Sequence, residues 1–217
     1  TDFKSWRHFK IPYKNRLYDF SLFNITEFLV HCQKINPQFL GSLFVPEEHI
    51  YFCSPVGRLI LDKRHLFLTK KITLSCLIRA EREFDMILFD RKEYELKYLI
   101  SQNYDTPISE YRETKHVYHL IRLMNEAYQI ATNGTIDIQK ASYLVPSVKA
   151  GEWSINKLRK WLDKQKIIVA AAVANSSLPN SYEDKEIINL LLQCYKIHFG
   201  SSNVAFHKSD RFLAKWF

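Results

Sequence analysis

Glycine is scarce in this chain: five in 217 residues, at positions 41, 57, 134, 151 and 200. Spaced so widely, they exclude a P-loop or a G-x-G-x-x-G phosphate cradle, both of which need clustered glycines to bring backbone close to phosphate. Only seven prolines are present, and with no Gly/Pro-rich stretch the chain is neither collagen-like nor dominated by linkers. The four cysteines, Cys32, Cys53, Cys76 and Cys194, form no C-x-x-C pair, which removes a zinc ribbon. Each lies among apolar residues and reads as a buried free thiol of a reducing compartment, not part of a disulfide framework. No apolar run reaches the ~20 residues a membrane helix needs. The opening Thr1-Asp2-Phe3-Lys4-Ser5-Trp6 is polar and aromatic, unlike a secretory leader. The expectation is a cytoplasmic protein without a membrane partner.

What is present is an ordinary globular composition, 47% hydrophobic and 25% charged, which excludes a disordered chain. Charge is the exception. Lys and Arg number 31 against 23 Asp and Glu, a net +8, and such a surplus favours phosphate-bearing partners. It is concentrated in two places. Lys4, Arg7, Lys10, Lys14 and Arg16 lie in the first twenty residues; Lys149, Lys157, Arg159, Lys160, Lys164 and Lys166 lie in 149–166. The plain reading of the second run is the solvated face of a helix.

Residues 2–11 and 16–23 read as strands, aromatic-rich and mixed with charge, around a turn at Pro12-Tyr13-Lys14-Asn15. The period then changes. Asn24-Ile25-Thr26-Glu27 starts a helix with Phe28, Leu29, Cys32 and Ile35 at helical spacing. Asn36-Pro37 stops it and opens another, through Phe39, Leu40, Leu43 and Phe44, that ends at Pro46. Further helices are expected over 55–65, 69–90 and 93–103. In the 69–90 helix Ile72, Cys76, Phe84, Ile87 and one of Leu77 or Ile78 turn inward. The next helix, 113–132, stops at Asn133-Gly134, and 135–138 is a short extended piece. Ser154 caps a helix running to about 174, Leu178-Pro179-Asn180 breaks the chain, and 181–197 is the last helix. No internal repeat or low-complexity stretch occurs.

Two constellations carry chemistry. Asp2 and Asp19 sit in strands joined by a short connection, and carboxylates on adjacent strands are a common way to hold Mg²⁺ with a substrate phosphate. The plainer account pairs them with Lys4, Arg7 or Arg16. On a helix, Lys115, His119 and Arg122 share a face at i, i+4 and i+7, with Tyr118 and Asn125 adjacent. Such a stripe suits a polyphosphate; the plainer account is a solvated basic face. His116 and His119 lack a nearby third ligand for a metal. Glu95-Leu96-Lys97 mimics a nuclease motif but has helical spacing, and Trp6, Trp153, Trp161 and Trp216 read as packing residues.

Together these segments resemble the nucleotidyltransferases of the DNA polymerase β superfamily, specifically the bacterial and phage group associated with RNA repair. That family has a D-x-D strand reading SDTDFKG, similar to Thr1-Asp2-Phe3-Lys4-Ser5, with Ser5 where the family has Gly. A third carboxylate before a helix is matched by Asp19, and an Asn-Pro then a Leu-Phe by Asn36-Pro37 and Leu43-Phe44. Arg64-His65-Leu66-Phe67-Leu68-Thr69-Lys70 looks like the family's R-x-x-F-L-S-K. Lys115-His116 through Arg122-Leu123 looks like its K-H-A-x-H-L-x-R-L helix. Asn133-Gly134, Gly151-Glu152-Trp153-Ser154 and Ser176-Ser177-Leu178-Pro179 follow in the family order. The matches span about residues 1–196. The family's Gly-Ser motif and the first Asp of its D-x-D fall upstream of Thr1.

The resemblance implies an α+β fold: part of a polymerase β-type mixed sheet followed by a mainly α-helical bundle. Residues 1–52 would be the remainder of a catalytic core, 53–199 a helical domain and 200–217 a tail. It implies Mg²⁺- or Mn²⁺-dependent transfer of a nucleoside monophosphate from an NTP to a hydroxyl acceptor, with RNA the expected one. Asp2 and Asp19 would hold metal. Lys4, Lys115, His119, Arg122 and Asn125 would bind the nucleotide or its phosphates. Lys157, Arg159, Lys160 and Lys164 would extend an RNA-binding surface. The rival is a catalytically inactive relative that binds nucleic acid or a protein partner.

Overall fold

The computed structural model describes residues 6–34, 37–98, 108, 111–140 and 143–200. Two strands, β1 (Trp6–Tyr13) and β2 (Arg16–Phe23), form one antiparallel hairpin. Among the described residues eight helices follow: α1 (Ile25–Gln33), α2 (Pro37–Ser42), α3 (Pro55–Asp62), α4 (Lys70–Tyr98), α5 (Tyr111–Asn133), α6 (Val145–Lys149), α7 (Ile155–Asn175) and α8 (Asp184–Phe199). Short 3-10 turns occupy Glu47–His49 and Arg64–Phe67. The architecture is α+β in this general sense.

The turn is tighter than its sequence suggests. Lys14 and Asn15 both take left-handed φ, 46° and 60°, as a two-residue hairpin turn requires. Pro12 and Tyr13 therefore belong to β1, and the register pairs Lys10 with Asp19, His8 with Ser21 and Phe9 with Phe20. At the base of the hairpin Phe23 meets Phe39 edge-on at 4.8 Å, and Phe39 stacks on His31 at 4.4 Å. These rings seat the hairpin on α1 and α2.

The Asn24 side chain caps α1, accepting from the Glu27 N–H at 2.7 Å. Asn24→Ala leaves that donor without its partner and is expected to cost about 1 kcal/mol, read as a shift of the urea midpoint. Ser154 caps α7 in the same manner through the Lys157 N–H, and Gly134 closes α5 with φ 60°, both as the sequence indicates.

The long antiparallel pair α4 and α5 builds the core. Ile72, Cys76, Ala80, Phe84 and Ile87 of α4 recur every three or four residues and are buried. They meet the buried Val117, Leu120, Ile121, Met124, Ala127 and Ile130 of α5, which is one apolar stripe packed on another. Leu77 is the half-buried member of the Leu77/Ile78 choice; Ile78 is exposed. Helix α7 lies across α5, and α8 packs on α1 and α3. The expected break after residue 90 does not occur: α4 is continuous to Tyr98, since no Gly or Pro interrupts Lys70–Tyr98. Helix α6, and a turn instead of an extended piece after Asp137, are further differences. Among the described residues no helix is long and apolar enough to cross a membrane.

Candidate functional site

The hairpin separates its residues into two unlike faces, since directly opposed residues share a face and neighbours along a strand alternate. One face carries His8, Lys10, Asp19 and Ser21. His8 Nδ1 lies 3.1 Å from Ser21 Oγ and its Nε2 lies 3.5 Å from Asp19 Oδ1. Lys10 Nζ is 3.9 Å from the same carboxylate. The Asp19 side chain is 63% exposed, so it has cationic company without being locked into a tight ion pair. Ser21, His8 and Asp19 have the connectivity of a hydrolase triad; Ser21 also lines a cleft of about 710 Å³ with Phe28, Phe39 and Val56, whereas His8 and Asp19 are not among its lining residues. The other face carries Phe9, Ile11, Tyr13, Tyr18, Phe20 and Leu22, all substantially exposed. Phe9 and Phe20 stack there at 5.7 Å.

Asp2 and Lys4 lie outside the described residues. Asp19 has Lys10 as its cross-strand neighbour. Asp19 has the hard oxygen donors of a Mg²⁺ or Mn²⁺ ligand, and such an ion takes one or two protein carboxylates and fills its shell with water and phosphate oxygens. The residue present fits that role. Among the described residues no group of three or more His, Cys, Asp or Glu surrounds a common point.

The α5 residues have divergent surroundings. Lys115 is exposed and lines a cleft. His116, flanking the stripe, is held by α4: its Nδ1 lies 2.6 Å from Glu83 Oε2 and its Nε2 lies 3.6 Å from Asp90. His119 is half-buried. Burial, helped by the charge of Arg122, lowers its pKa below the ordinary histidine value, so it is neutral at pH 7. Arg122 Nε approaches Glu126 Oε1 at 3.4 Å. Glu126 is 2% exposed, and burial lifts its carboxyl to about 7 against the pull of Arg122. The Arg122 charge thus serves an internal pair. Asn125 lines a separate cleft of about 540 Å³ with Tyr128, Gln129, Lys140 and Gln165. Lys115, His119 and Arg122 therefore do not face one ligand together. Nor does the fold bring them to Asp19: among the described residues, β1 and β2 pack extensively only on each other, and α5 on α4, α6 and α7.

On α7 the basic residues split in the same way. Lys157 donates to the Glu152 carbonyl at 2.8 Å and lies over the Trp153 ring. Arg159 lies over Phe84 at 5.1 Å. Lys160 and Lys164 are exposed. Trp153 is a packed residue. The thiols are buried or half-buried and free. Burial pushes Cys32 up to about 12 and Cys194 to about 11, and raises Cys76 as well, which makes them poor nucleophiles.

Sequence reading did not single out His8, Ser21 or Glu126. The first two were accessible from strand alternation once Asp19 was chosen. Glu126 lies one position from Asn125, on the inward face of a helix whose period was already read. No family model, characterised protein or solved structure matches the chain.

Proposed function

We propose that this chain serves a metal-dependent nucleotidyltransferase, which moves a nucleoside monophosphate from an NTP to a hydroxyl acceptor, with RNA as the acceptor. The observation that carries the reading is Asp19: an exposed strand carboxylate, 3.9 Å from the ammonium of its cross-strand partner Lys10, at the position of the third family aspartate. The ordered motif resemblance along the chain supports it. Bound at Asp19, a divalent ion would supply charge neutralisation for the displaced pyrophosphate. Lys10, from the same face, is near enough to meet an anionic phosphate oxygen drawn to that carboxylate's cation. His8, hydrogen-bonded to Ser21, holds its other ring nitrogen 3.5 Å from the Asp19 carboxylate. Lys160 and Lys164 offer cations to an RNA backbone.

The test is incorporation of label from each of the four NTPs into an RNA pool with Mg²⁺, with Asp19→Asn beside the wild type. Incorporation is expected, and Asp19→Asn abolishes it while leaving the melting curve in place, since the side chain is exposed. A variant that turns over as fast as wild type removes Asp19 from catalysis. A wild type that incorporates nothing from any NTP favours the second reading, an inactive relative that acts by binding. The uncovered apolar face of the hairpin is what favours that reading.

A further inference from the structure

The cleft between α5 and α6 has a volume of about 730 Å³, within the range of small-molecule sites. Its polar lining is Thr114, Lys115 and Tyr118 from the start of α5 and Lys149 from the end of α6. Ile108 and Val148, both buried, give it an apolar floor. Among the described residues every ionisable lining side chain other than the tyrosine is a lysine, and no carboxylate lines the cleft. Neither lysine is in an ion pair among the described residues. Two lysines on one cleft, with no lining carboxylate among the described residues, make it electropositive and favour an anion there. Phosphate is the anion that such paired lysines and hydroxyl donors suit, while the aromatic and aliphatic lining suits a flat organic body.

Local structure explains why the walls meet. Pro146 opens α6, and Gly151, at φ 75°, ends it. The Gly151 N–H donates to Val148 O at 3.0 Å and the Glu152 N–H to Ser147 O at 3.1 Å, closing the helix in the manner of a glycine C-cap. Trp153 then anchors the turn, its Nε1–H donating to Ser147 Oγ at 2.8 Å and its carbonyl accepting the Ile108 N–H at 2.7 Å. Lys115 and Gly151 belong to two separate motif-bearing segments, and the fold sets them on the same cavity.

We infer that this cleft is a nucleotide-binding site in which Lys115 and Lys149 grip phosphate and Tyr118 packs on the base or sugar. The inference rests on the proposed nucleotidyl chemistry for its choice of ligand; because the fold does not bring this cleft to Asp19, the phosphate held here is bound apart from the reacting centre, by a Lys115–Lys149 pair in place of a Lys115–His119–Arg122 stripe. The phosphate has two sources, a free NTP or the phosphorylated end of an RNA strand.

Titration calorimetry with ATP, adenosine and a 5′-phosphorylated tetranucleotide, in metal-free buffer, tests the site apart from catalysis. ATP or the tetranucleotide should bind and adenosine should bind far more weakly. Lys115→Gln and Lys149→Gln should each weaken the phosphorylated ligand about tenfold or more, the loss of a charge-assisted contact. Both side chains are exposed, so the fold should survive, and melting curves check it. Competition between ATP and the tetranucleotide assigns the source. Asp19→Asn should bind like wild type here, so a failure of the transfer reading leaves this result standing. Wild-type affinity in the Lys115→Gln/Lys149→Gln double variant, or no binding of either phosphorylated ligand by wild type, overturns the site.

Discussion

Trp153→Ala is expected to lower stability by about 3–5 kcal/mol, the range for emptying a buried large aromatic site. Trp153 is 5% exposed and packs edge-on against Trp161 at 5.9 Å. Lys157 covers its ring at 5.0 Å, and its indole N–H holds Ser147. Deleting the side chain opens a cavity, removes the aromatic pair and leaves the Ser147 hydroxyl without its donor. Trp153→Phe retains most of the ring contacts and loses the donor, so it should cost less, about 1–2 kcal/mol. Urea midpoints of the two variants measure both effects. Equal midpoints for wild type and Trp153→Ala would mean that the α6–α7 junction adds nothing to global stability.

Raising the pH from 5 to 8 should weaken the wild-type protein through Glu126, and Glu126→Gln should remove that slope. Burial holds the Glu126 carboxyl at about 7, against 4.5 for an exposed glutamate, so the folded state binds this proton more tightly than the unfolded state does. Its contribution is full below 4.5 and is lost as pH rises through about 7. The integrated change is up to ~3 kcal/mol at about 1.36 kcal/mol per unit. His119 has the opposite sign: its lowered pKa gives stability that is present above the ordinary histidine value and lost as pH falls. The informative quantity is therefore the difference between wild type and Glu126→Gln at each pH. That difference should grow between pH 5 and 8 in favour of the glutamine, whose amide oxygen still faces Arg122 without a charge to desolvate. A constant difference would place the Glu126 proton outside this range.

Helix starts and stops were legible where the side chain itself does the capping. Asn24, Ser154 and Gly134 each act locally, and the structure uses each as the sequence suggests. Elements decided by what they pack against were less legible. The charged run Asp90-Arg91-Lys92-Glu93 breaks the apolar period and so looks like an end, although nothing in it stops a helix. Helix α6 spans five residues, too few for a period to show. The hairpin turn matters most for the site. A four-residue turn over 12–15 would pair Ile11 with Arg16 and so Asp19 with His8. The two-residue turn shifts the register by two and pairs Asp19 with Lys10. Alternation still keeps all three on one face. For α5, spacing correctly put Lys115, His119 and Arg122 along one side of the helix. It carried no information that α4 would claim the neighbouring His116, or that the buried Glu126 would claim Arg122.

The placement of α8 has a consequence for synthesis on the ribosome. This helix packs on α1 and α3, and the Tyr195 and Thr26 hydroxyls meet at 2.8 Å. The loop before it also supplies the Pro179 and Asn180 carbonyls to the Lys70 and Lys71 N–H groups at the start of α4. Both the apolar sides of the early helices and the first donors of the longest one must therefore wait for the end of the described chain to emerge. At ordinary elongation rates that wait is roughly ten to thirty seconds. During it the nascent chain displays surface that α8 covers in the folded protein, which is where a chaperone would find its hold.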